Sequence, residues 1–155
     1  MARNTAMDVD PHQIIVVKSG FSGQLVYISP RTQEKFVWDQ FGDEQEMELS
    51  EIRNAKSSAK AFFVNNWFMF DKEYDWVIDY IGMRQYYANA IRLDEFDKIL
   101  CSTPTEITKR VSKMSEGQKE SLSYRARQMV ANGEIDSRKA IIALEKALGL
   151  SLEEK

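Results

Sequence analysis

The sequence predicts an α+β fold. An N-terminal antiparallel β-meander, open or rolled into a small barrel, precedes a mostly helical body that ends in a helical hairpin. Three observations predict it. Apolar and polar residues alternate between residues 13 and 49 with the period of a half-buried strand. Turn residues interrupt that alternation at short intervals, and tight turns join antiparallel neighbours. After residue 50 the apolar period lengthens, and Ser, Thr and Asp stand where helices need caps.

The first strand is the β-branched run Ile14-Ile15-Val16-Val17, ended by Ser19-Gly20-Phe21-Ser22-Gly23. Gln24 to Ser29 forms the second, and Pro30-Arg31-Thr32-Gln33 turns the chain again. In the third, Phe36 and Trp38 share one face and Lys35, Val37 and Asp39 the other. Gly42-Asp43 breaks it. Gln45, Met47 and Leu49 alternate with Glu46 and Glu48 as a fourth strand. Ser50 is placed to cap a helix reaching residue 64 or beyond, with Glu51 favoured by the dipole in its first turn. Asp71 is expected to cap a helix through Trp76, Val77, Tyr80 and Ile81, stopped by Gly82. A further helical piece covers 83–91, and Asp94 caps a short one holding Phe96, Ile99 and Leu100. Thr103-Pro104-Thr105-Glu106 joins a capping box to proline at the first helical position, and Ser115-Glu116-Gly117-Gln118 repeats the box. The next helix carries the stripe Leu122, Ala126, Met129 and Val130 up to Asn132-Gly133. Asp136 or Ser137 then caps a last helix with Ile141, Leu144 and Leu148 inward, closed by Gly149.

At 155 residues the chain is long enough for a real core without metals or staples. Four segments follow from the pattern: a flexible tail or arm over 1–11, a β-meander over 12–50, an aromatic-rich helical segment over 51–101, and a helical bundle or hairpin over 102–155. A lone Cys101 cannot close an internal disulfide, which points to a reducing compartment. No apolar run follows a basic start, so no signal peptide is expected, and the apolar stretch 61–70 is too short to span a bilayer. The net charge of -3 argues against a general nucleic-acid coat.

The candidate chemistry is sparse. His12 is the sole histidine, so a histidine-based triad or multi-histidine metal site is unavailable. Cys101 reads as a buried structural thiol. Asp94 and Asp97 read as a cap and a solvated acid rather than a glycosidase pair. Gly20 and Gly23 bracket a hairpin and lack the lysine of a phosphate loop. Asp39, Asp43, Glu44, Glu46, Glu48 and Glu51 contain no base among them and no calcium-loop spacing, and read as a solvated, pairing-resistant edge. No catalytic, metal or cofactor-binding residue is expected.

Two features point to contacts instead. Most of the aromatic residues fall between 62 and 96, where acids outnumber bases. That is the wrong sign for a nucleic-acid stacking platform. They read as a core beneath acidic caps, with Trp67 and Phe68 as candidate interface anchors. Between 98 and 139, Lys and Arg outnumber Asp and Glu by nine to five. Lys119, Arg125, Arg127, Arg138 and Lys139 flank the helical hairpin there. A DNA-reading helix can look like this, but a solvated face, or a docking face for an acidic neighbour, is the preferred reading.

Gly23 through Thr32, Phe36-Val37-Trp38, Phe41-Gly42-Asp43 and the stretch from Glu51 to Trp67 resemble small proteins encoded in tailed-bacteriophage structural gene clusters. The segments 115–119 and 135–139 resemble the ends of such proteins. The shared motifs are packing and capping motifs and carry no catalytic residue across. The resemblance implies a non-enzymatic virion component of head, neck or tail, made in the host cytoplasm. Its partners would be other virion proteins or copies of itself, without a membrane and without a cofactor. The alternative is a small intracellular regulator, either a DNA-binding helical hairpin or an inhibitor docking on a protein complex.

Overall fold

A computed structural model describes residues 9–152. The strands are confined to the N-terminal half and a helical body follows, 15% strand against 48% helix. The strands are β1 (Ile14–Ser19), β2 (Leu25–Ile28), β3 (Lys35–Trp38), β4 (Glu44–Glu48) and the two-residue β5 (Phe68–Met69). Their pairing is more specific than simple succession. β1 is the centre of a three-stranded antiparallel sheet between β4 and β5, and β2 pairs only with β3. The β1–β4 register sets Ile15 opposite Met47 and Val16 opposite Glu46. The hairpin sets Leu25 opposite Trp38 and Tyr27 opposite Phe36. Period-two alternation sends the apolar member of each step inward, so the inner faces of the two sheets meet in one core. The Trp38 indole closes the join by donating from Nε1 to the Val17 carbonyl at 2.9 Å.

The helices are α1 (Leu49–Ser58), α2 (Ala61–Val64), α3 (Trp76–Tyr80), α4 (Arg84–Tyr87), α5 (Phe96–Leu100), α6 (Pro104–Val111), α7 (Glu116–Ala131) and α8 (Arg138–Leu148). Single turns of 3₁₀ helix cover Lys72–Tyr74 and Leu93–Glu95. Several expected boundaries move. Glu48, not Ser50, is the residue before α1, because the chain leaves β4 directly into the helix. That helix does not run on to residue 64. Ala59 takes a non-helical conformation, and Asn66, at a φ of 57°, turns the chain into β5. Asp71 precedes a 3₁₀ turn and its side chain caps nothing, while Asp94 lies inside the second 3₁₀ turn.

The C-terminal caps form as expected on one side only. Thr103 accepts from the Glu106 amide at 3.2 Å, Ser115 from the Gln118 amide at 3.1 Å, and Ser137 from the Ala140 amide at 3.4 Å. Gln118 does not complete a capping box. Its amide crosses to Ile91, accepting from the backbone N–H and donating to the carbonyl, both at 2.9 Å.

The side chains separate into two cores. The first gathers the strands, α1 and the aromatic segment as far as Tyr87, and the second runs from Ile91 to Leu152. The aromatic-rich stretch 51–101 is thus shared between them. Of the predicted tail, residues 1–8 lie outside the described residues. Its end is tied down: Val9 packs on the first core, and the Pro11 carbonyl accepts from the Ser50 amide at 2.8 Å.

The first half of α7 is the seam between the cores. Gly117, Gln118 and Ser121 are buried on it. Ser121 donates to the Gly20 carbonyl, and Ser115 donates to Asn66 Oδ1 at 2.7 Å. Farther along, Phe41 meets Phe96 at 5.4 Å and Tyr124 at 6.1 Å between ring centres. Gly117 is required by this approach. A Cβ there would fall inside van der Waals contact of the Asn65 carbonyl and Cβ. Gly→Ala inside a helix ordinarily gains up to about 1 kcal/mol. Here Gly117→Ala is expected to lose about 1–3 kcal/mol by overpacking, read as a lowered urea midpoint at unchanged slope.

Candidate interaction surface

An open groove of about 460 Å³ lies beside the seam. The turn at Asn65–Trp67 forms one wall. Glu116 to Arg127 of α7 forms the floor, and Leu148 and Leu150 at the end of α8 the other wall. The sequence folds this way because Asn66 breaks the chain in the left-handed region and the small Gly117 lets that turn sit against α7.

Three of the predicted contact residues line this groove: Trp67, Lys119 and Arg127. Trp67 is half-buried and stands edge-on to Phe21 at 5.1 Å and Phe62 at 5.6 Å. Its Nε1 is buried without a hydrogen-bond partner. Lys119 is 3.4 Å from Glu116, one turn back on the same helix. Arg127 is exposed and has no ion-pair partner among the described residues. The groove therefore joins an aromatic ring, two leucines, the acids Glu116 and Glu120, and the Arg127 guanidinium, which forms an ion pair with neither acid. Aromatic and arginine side chains are the residues that most often anchor protein interfaces.

The other predicted contact residues fall elsewhere. Phe68 is 0% exposed and belongs to the first core, because β5 turns both of its side chains inward. Arg125 is no free cation. Its fork holds Asp97 of α5 with two bonds of 2.8 Å, and this pairing lowers the Asp97 carboxyl below its ordinary range. It straps α7 to α5. Arg138 and Lys139 are exposed in the first turn of α8, away from the groove lining. Leu148 was expected in the core and instead shares its surface between core and groove. Leu150 carried no signal, since it follows the helix stop at Gly149.

Titratable groups also converge where α1 meets the β2–β3 hairpin. Glu51, expected as a first-turn acid, is buried. It accepts from the Tyr27 hydroxyl at 2.7 Å and the Ser29 hydroxyl at 3.0 Å, with Arg31 at 3.5 Å. Burial and then the Glu51 bond push the Tyr27 hydroxyl up to about 12, so it stays a protonated donor at neutral pH. That is an anchor for α1 against the hairpin; a proton-transfer group would need a pKa nearer neutrality. His12 sits on the surface 3.1 Å from Glu48, which raises its pKa. Cys101 is exposed at the end of α5, not buried, because Ile99 and Leu100 take the inward positions. Among the described residues no three His, Cys, Asp or Glu side chains gather as a metal site, and no helix is long and apolar enough to cross a membrane. Comparison with protein-family models, with curated proteins and with solved structures finds no match to this chain.

Proposed function

We propose that this chain is a non-enzymatic structural or accessory component of a bacteriophage particle that works by protein–protein contact. The resemblance of its packing and capping motifs supplies the particle. The observation that carries the mode of action is the groove, where Trp67, Leu148 and Leu150 stand beside the unpaired Arg127. A partner that fills it would cover apolar surface and give Arg127 a carboxylate, which concentrates binding energy in a few residues. The exposed cations Arg127 and Lys139 also keep a second reading in play, a regulator that uses the α7–α8 hairpin on duplex DNA.

The test is direct. Particles banded on a density gradient are analysed for the chain and its copy number, using wild type and Arg127→Glu. Wild type is expected in the particles. Arg127→Glu is expected to melt within about 0.5 kcal/mol of wild type, since the position is exposed, and to be depleted from them. Absence of the wild-type chain from purified particles sinks the proposal. Tight duplex-DNA binding that falls steeply with salt would install the regulator in its place.

A further inference from the structure

Two recesses outside the groove carry opposite charge. One, of about 240 Å³, lies where the end of α6 meets the loop after α4. Ala88, Asn89 and Ala90 line it together with Lys109, Arg110 and Lys113, and no acid does. Arg110 has only a distant neighbour, Glu106 at 4.0 Å. Lys109 and Lys113 are exposed and have no ion-pair partner among the described residues. Cations at a helix C-terminus ease the dipole, which accounts for one of them without a ligand. Three around a single recess exceed that need and repel one another.

The other recess, of about 250 Å³, lies between β4 of the first sheet and the β2–β3 hairpin, lined by Glu34, Glu46, Glu48 and Glu51 with Arg31, beside Ile14. Arg31 is already turned to Glu51, and His12 to Glu48. Glu34 and Glu46 have no ion-pair partner among the described residues. Ile14 is 49% exposed among them, an apolar residue that water covers poorly.

No ion pair joins these recesses within the chain, and they share no residue. We infer that they meet between molecules: the acidic recess of one copy receives the Lys109–Lys113 turn of a second copy, head to tail. The partner is chosen by charge complementarity, since every copy brings both halves. Such a contact repeats, closing into a ring or extending as a filament according to its rotation. This inference shares with the functional reading only the premise that the chain acts through protein contacts.

Sedimentation tests it, at about 0.05 M and about 1 M salt, where screening shortens the reach of charge from over 10 Å to about 3 Å. Wild type is expected to form multimers at low salt that dissociate at high salt. The reversals Lys109→Glu with Lys113→Glu, and Glu34→Lys with Glu46→Lys, are each expected to weaken association about tenfold or more. Mixing the two variants should restore it, because each keeps the half that the other has lost. Lys109→Gln with Lys113→Gln serves if the reversal disturbs the melting curve. Wild type that stays monomeric at low salt overturns the inference, as does a mixture that stays apart. A monomer that binds duplex DNA and loses it on the lysine reversal also overturns it. If wild type is monomeric yet present in particles, this contact fails and the functional reading stands. Multimers from a chain missing from particles mean the opposite.

Discussion

Phe68→Ala is expected to cost about 3–5 kcal/mol and to leave much of the chain insoluble. Phe68 is fully buried at the centre of an aromatic cluster. Phe62 lies 5.1 Å away between ring centres, Trp38 and Phe63 5.4 Å, and Tyr27 6.0 Å. Its removal takes the shared partner from the β2–β3 hairpin and from α2 at once. The hole is walled by rigid rings that cannot collapse into it, which puts the cost at the upper end of the range. Trp67→Ala is the control one residue away. Its ring is half-exposed, its indole N–H is unsatisfied, and its loss is expected to cost less stability while weakening contacts at the groove. Urea unfolding of both variants decides the matter. A Phe68→Ala chain that loses under about 1 kcal/mol, with its assembly impaired, would return Phe68 to the surface role that the sequence suggested.

That contrast shows where the sequence is legible. The strands β1 to β4 are readable because one face is buried and the alternation is clean, as at Phe36, Trp38 and Met47. Helices α6 to α8 are readable because Thr103, Ser115 and Ser137 announce their starts in side-chain chemistry. The segment between them is not. In 61–70 nearly every residue is apolar or amide, so no period separates helix from strand. The bend at Asn66 and the pairing of Phe68 and Met69 with β1 are decided by contacts 49 or more residues away, at Ser115, and at Lys18 and Ser19. The site divides in the same way. Exposed cations such as Arg127 can be guessed from a charge excess. Arg125 looks identical in sequence, and only the fold brings Asp97 to it. Of the acidic recess, Glu46, Glu48 and Glu51 stand in the acidic run and Arg31 in a legible turn, but nothing local places Glu34 beside them or sets Lys109, Arg110 and Lys113 against Ala88–Ala90.

Gln118→Ala is expected to uncouple the two cores. The Gln118 side chain is 1% exposed and makes both hydrogen bonds of the buried Ile91 peptide groups. Alanine leaves one donor and one acceptor without partners, at about 1–3 kcal/mol each. Ile91 and the Leu122, Ala126 and Met129 side chains of α7 belong to the second core, while the first turns of α7 reach the first through Ser115 and Ser121; Gln118 lies between these contacts, so the loss falls on the seam. All three tryptophans precede that seam, and most helix follows it, so fluorescence reports the first core and far-ultraviolet dichroism mainly the second. The two unfolding curves should coincide in wild type and separate in Gln118→Ala. Gln118→Glu refines the test. A protonated glutamic acid can accept from the Ile91 N–H and donate to its carbonyl, whereas the carboxylate can only accept and is buried as a charge. Its pKa in the folded chain is therefore raised above the unfolded value of about 4.3. The stability gained from protonation is fully present below that value and is lost as pH rises through the folded pKa. Gln118→Glu should approach wild type on acidification from about pH 7 toward pH 4.5, while Gln118→Ala stays a constant distance below it. Parallel curves for the two variants would mean that the amide fills space at the seam and that its hydrogen bonds do not hold the cores together.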